Sequence, residues 1–73
     1  MFTIEYNGYR VGLLIGNNHE YRFKTAEEAK SKIDIAEKFS IQYPHNRWAD
    51  LENSVPNRKQ LKIKYDGFMY DEI

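Results

Sequence analysis

Asn7-Gly8 is the stretch that most limits what this chain can fold into. A type I′ reversal needs positive φ at both central residues, and Asn-Gly tolerates that best. Centring a hairpin there sets Tyr6 against Tyr9, Ile4 against Val11 and Phe2 against Leu13. All six then share one side of the ribbon, because side chains alternate along a strand. On the other side Glu5 falls opposite Arg10 and Thr3 opposite Gly12. One turn thus separates apolar from polar residues and pairs opposite charges. Asp66-Gly67 repeats the signal near the other end, placing Tyr65 against Phe68 and Ile63 against Tyr70. Lys62 then opposes Asp71, and Lys64 opposes Met69.

Between these hairpins the period changes. A three-residue loop at Asn17 to His19 pairs Ile15 with Tyr21 and Leu13 with Phe23, and predicts a third strand over Glu20 to Lys24. Thr25-Ala26-Glu27-Glu28 then reads as a capping box, with both acids in the first helical turn. Ala26, Ala29, Ile33, Ala36 and Phe39 recur at helical spacing, predicting a helix from Ala26 to about Ser40. Glu28–Lys32 and Asp34–Lys38 are spaced as i,i+4 ion pairs on it. Pro44 and Pro56 bracket the next segment. Trp48, Leu51 and Val55 suggest a short helix there, over Arg47 to Asn53 with Asn46 as cap and Trp48 plugging the end of the core. The expected fold is α+β: a five-stranded antiparallel sheet in βββαββ order, packed on one long helix, with a short helix before the last hairpin.

The chain of 73 residues reads as a single domain. Cores of this size rarely supply more than ~3–5 kcal/mol. No Cys is present to add a disulfide or thiolate metal site, so packing must hold the fold. Six Tyr, four Phe and one Trp supply the area. Eleven basic residues balance eleven acidic ones, which disfavours both a globally basic nucleic-acid binder and an acidic mimic of one. The opening residues lack a basic region followed by an apolar core, and Leu13-Leu14-Ile15 is too short to span a bilayer. A soluble, cytoplasmic protein with no membrane association is the expectation.

Catalytic constellations are weak throughout. His19 and His45 have no second ligand at metal spacing, and no nucleophile elbow, phosphate-binding glycine loop or H-E-x-x-H occurs. No cofactor or metal is expected, and no enzymatic activity. Two surfaces remain as candidates. With the large apolar residues turned inward, the open sheet face carries Arg10, Leu14, Arg22, Lys24, Lys62, Lys64 and Met69, with Thr3, Glu5 and Asp71. Bases there could follow phosphates, or serve only to keep a wet face soluble. Leu14 and Met69, if neighbours, would add a small apolar centre suited to protein recognition. The second candidate is the segment from Gln42 to Asn57, where Tyr43, His45, Arg47 and Trp48 are residue types favoured at binding hot spots. Homodimer formation through an edge strand or the sheet face is left open.

Tyr21-Arg22-Phe23-Lys24-Thr25-Ala26-Glu27-Glu28-Ala29, with Asp34 and Ala36 beyond, resembles the third strand and helix of AP2-type and integrase arm-type DNA-binding domains. The resemblance implies a sheet laid in the major groove, with Arg10, Arg22 and Lys24 facing DNA. The chain departs from that pattern by its second hairpin and its balanced charge. As a type, the chain also resembles small phage-encoded host-takeover and anti-defence inhibitors, anti-CRISPR proteins among them: a tiny Cys-free α+β domain rich in Tyr, Asn, Lys and Ile. That likeness implies a protein that blocks a surface of a host protein or nucleoprotein complex in the host cytoplasm. It transfers no individual residues.

Overall fold

The computed structural model describes residues 1–51, 58–66 and 68–72. The fold is α+β, a multi-stranded antiparallel sheet packed against one helix. The strands are β1 (Phe2–Tyr6), β2 (Tyr9–Ile15), β3 (Asn18–Glu20), β4 (Lys38–Tyr43), β5 (Arg47–Asp50), β6 (Leu61–Tyr65) and β7 (Phe68–Glu72), and the helix is α1 (Ala26–Ile35). Their spatial order is β5-β4-β2-β1-β6-β7, with β3 also paired to β2.

The first hairpin forms as its turn chemistry dictates. Asn7 and Gly8 adopt φ of 50° and 81°, and Ile4↔Val11, Glu5↔Arg10 and Tyr6↔Tyr9 are in register. Beyond Ile4 the two strands part, so Phe2 does not meet Leu13 as expected. Phe2 instead forms an isolated bridge with Phe23, through N–H···O bonds of 2.8 and 2.9 Å. The edge of β2 that β1 vacates is taken by β3, which pairs Leu13 with Glu20 and Ile15 with Asn18.

The second reversal is therefore a two-residue turn at Gly16-Asn17, with Gly16 at φ 61°, rather than the expected three-residue loop. The third strand stops at Glu20 and does not reach Lys24. The chain kinks over residues 21–22, which returns Phe23 to the core and leaves Tyr21 on the other face of the sheet. The sequence argument required both rings on one side; the kink removes that requirement.

Helix α1 starts where the capping residues place it. Thr25 Oγ1 accepts from Glu28 N–H at 3.0 Å, and Glu28 Oε2 accepts from Lys24 N–H at 3.0 Å. Such a cap contributes about 1 kcal/mol. The helix ends five residues early. Ala36 is extended, at φ −65° and ψ 132°, Glu37 N–H donates to the Leu14 carbonyl, and residues 38–43 run as β4 along the other edge of β2. Phe39 fits a helical stripe from Ala36, but it fits equally the alternation of Phe39 and Ile41, and the unpaired edge of β2 decides. The lysines of both expected helical ion pairs meet acids on other elements. Lys32 Nζ reaches Glu20 at 2.9 Å, tying the last helical turn to β3, and Lys38 Nζ meets Asp50 at 2.6 Å.

No short helix forms over Arg47 to Asp50. A turn at Pro44–Asn46, with His45 at φ 70°, sends the chain back as β5, pairing Tyr43 with Arg47 and Gln42 with Trp48. Asn46 belongs to this turn and caps no helix. The break expected at Pro56, and Val55 with it, lie outside the described residues. Among the described residues the sheet consequently has seven strands rather than the expected five. In the last hairpin Asp66 takes φ 49° and Tyr65↔Phe68 and Lys64↔Met69 pair as expected. A bulge then shifts the register, so that Ile63 opposes Asp71 and Lys62 opposes Glu72.

The core is the layer between the sheet and α1. Ile4, Val11, Leu13, Phe39, Leu61 and Ile63 face Ala26, Ala29 and Ile33, with Phe23 closing the fork between β1 and β3. Each large side chain buried there contributes about 1.5–3 kcal/mol. The alanines let α1 lie close over β1 and β2. No helix among the described residues is long and apolar enough to cross a membrane. Ile33 is 5% exposed and Ile35 59%. Urea unfolding should therefore show a loss of about 0.5–1.5 kcal/mol for Ile33→Val, and a change within about 0.5 kcal/mol for Ile35→Val.

Candidate functional site

The face of the sheet away from α1 takes its residues from alternate positions. Arg10, Gln42 and Trp48 form one cross-strand row, Gly12, Ser40 and Asp50 the next, and Leu14, Lys38 and His19 a third. Trp48 thus lies on the open face, not in the end of the core. The strand that replaces the expected short helix reverses its side, because position 48 pairs with Gln42 and not with the buried Ile41. The two candidate surfaces meet at this residue.

The indole lies across β2 at Gly12. A β-carbon there would stand 2.9 Å from Trp48 Cζ3 and 3.2 Å from Ser40 Oγ, so the missing side chain is what admits the ring. Tyr21 packs on Trp48 with ring centroids 5.4 Å apart, tilted by 47°. Arg22 Cζ stands 5.6 Å, and Arg10 Cζ 6.0 Å, from the Tyr21 ring centroid, within cation–π range. Two guanidinium groups and two aromatic rings therefore share one patch. Among the described residues no carboxylate lies within ion-pair distance of either guanidinium. Trp48 keeps 38% of its surface exposed.

The other predicted site residues divide. Lys62 sits opposite Glu5 across the β1–β6 pairing, and Lys64 Nζ lies 3.9 Å from Glu5 Oε2, so one carboxylate offsets part of the charge at this end of the face. Lys24 stands in the bend before α1, off the sheet, because the third strand ends early. Leu14 is half-buried on the open face, but β1 and β6 lie between its strand and that of Met69, so the two cannot form one apolar centre. The side chain of Met69 lies outside the described residues. Tyr43 pairs with Tyr9 at the sheet end, ring centroids 5.5 Å apart, and Arg47 is exposed opposite it on β5. These two face away from the Trp48 row.

Gly12, Tyr21 and Ser40 were not among the predicted site residues. Tyr21 was assigned to the core by the longer loop. A glycine inside an alternating strand is the signal that marks a close approach by another group. Among the described residues no group of three His, Asp or Glu stands close enough to hold a metal ion.

Trp48 is the chain's single tryptophan, so its emission reports on this patch alone. Gly12→Ala should displace the indole toward solvent. Emission should shift to longer wavelength and acrylamide quenching should rise, with far-ultraviolet circular dichroism unchanged. Unaltered emission would show that the ring does not rest on Gly12. Comparison with protein-family models, with curated proteins and with solved structures finds no match.

Proposed function

We propose that the chain is a non-enzymatic binding protein that blocks a surface of a larger protein or nucleoprotein assembly. It acts through the open sheet face around Trp48. One observation carries this reading: Trp48, Tyr21, Arg10 and Arg22 form a single patch on a face over which no helix of the described residues lies. Trp, Tyr and Arg are the residues in which binding energy concentrates. A wet sheet face needs polar side chains, but it has no need of an indole seated on a glycine at its middle.

Charge favours a protein partner over a nucleic-acid duplex. Tracking a phosphate backbone takes many unopposed cations. Here Lys64 is answered by Glu5, Lys38 by Asp50 and Lys32 by Glu20. The resemblance in type to phage anti-defence inhibitors agrees with a blocking role in the host cell. DNA binding by the sheet face is the second reading, favoured by the two arginines that lack a carboxylate partner.

Affinity capture from host lysate, with and without nuclease, separates the readings. A protein partner should survive nuclease. It should be lost when Trp48→Ala and Arg22→Glu are combined, and kept with Ser31→Lys on the exposed side of α1. Recovery of nucleic acid alone, weakening steeply with salt, would select the second reading. Capture indifferent to Trp48 and Arg22 would remove the sheet face from both.

A further inference from the structure

We infer that the hollow beside the packed Tyr21 and Trp48 rings is an anchor pocket for one apolar side chain of a partner peptide, and that Arg10 and Arg22 receive an acidic side chain a few residues away on the same peptide. This rests on the reading of the open face as the binding surface, and it specifies what that surface takes.

The hollow measures about 150 Å³ and is lined by Gly12, His19, Tyr21, Ser40 and Trp48. A cavity of about that volume accepts a benzene-sized group. That matches the ring of Phe or the branched end of Leu. Gly12 lines it without a side chain of its own, and the edge of the Trp48 ring occupies the place a β-carbon would take. Tyr21 and Trp48, packed on each other with ring centroids 5.4 Å apart, together form one aromatic wall. Rings in contact leave no slot between them for a nucleobase stacked on both faces.

Charge supplies the second half of the specificity. The two guanidinium groups flank the same Tyr21 ring, which forms one wall of the hollow. No described carboxylate lies within ion-pair distance of either, though Glu5 is the cross-strand neighbour of Arg10, and two like charges meet at one ring. A carboxylate from outside relieves that repulsion and forms charge-assisted hydrogen bonds, which Arg makes in bidentate geometry. Past the arginines a shallow trough of about 550 Å³ runs over Gly8 and Gln42 to the end of the sheet at Pro44 and His45. An extended peptide anchored over Gly12 therefore meets the arginine pair next and the trough after it.

The test is selection of a displayed random peptide library on the intact chain, followed by titration of the synthetic winners against Trp48 emission. The winners should carry an aromatic or branched aliphatic residue within a few positions of Asp or Glu, and should shift the emission. Changing that acid to its amide, or introducing Gly12→Ala, should each weaken binding about tenfold or more. Arg10→Glu combined with Arg22→Glu should do the same, and a peptide with Lys in place of the acid should regain affinity for that variant alone. No enrichment, or binding that leaves Trp48 emission unchanged, overturns the inference. So does emission that responds to oligothymidylate and not to peptides, which would assign the hollow to single-stranded nucleic acid. If lysate capture still depends on Trp48 while peptides fail, only the pocket assignment falls. If capture itself is indifferent to Trp48, the wider reading falls first.

Discussion

The reversal at Asn7-Gly8 fixes which side of β2 faces the helix, and β2 has more neighbours than any other strand here. β1 and β3 share one of its edges and β4 takes the other. Side chains alternate strictly along a strand, so a slip of one residue at the turn would exchange Val11 and Leu13 for Arg10 and Gly12 against α1. The same slip would invert β4, which is read off β2 residue by residue from Arg10↔Gln42 to Leu14↔Lys38. Positive φ at two residues therefore sets the sidedness of half the sheet.

What could be read in the sequence was whatever local chemistry decides. The two Asx-Gly turns, the Thr25 cap and the inward set of Ile4, Val11, Leu13 and Ile63 all follow from nearest neighbours and the period of two. What could not be read depends on edges. Nothing within Lys38–Tyr43 says that β2 needs a partner there, and Phe39 satisfies a helical period as well as a strand's. The same holds for β5. Trp48, Leu51 and Val55 match a helical spacing, and only the presence of β4 turns Arg47–Asp50 into its hairpin partner. The bulge between Ile63 and Lys64 is likewise invisible from the ideal register of the Asp66 turn.

The candidate site was missed for the same reason. Arg10 and Arg22 could be placed on the open face from parity, but Trp48 and Tyr21 could not, since each was assigned inward by a wrong partner. Once β5 pairs with β4, Trp48 shares a row with Arg10. Once the second turn shortens, Tyr21 moves to the same side. Two independent departures from the simplest pattern deliver aromatic rings to one spot, and both rings abandon the core to reach it. A core that already holds Phe23 and Phe39 from the same neighbourhood tolerates the loss.

Gly12 has a consequence of its own. A glycine inside a strand lowers stability by roughly 0.5–1 kcal/mol relative to alanine, because it gives up more freedom on folding. In a domain this small that is a sizeable share of the margin. The same vacancy makes the seat for Trp48. Alanine at position 12 would regain that freedom only by displacing the indole from its packing, so one absent β-carbon sets backbone entropy against the seating of Trp48.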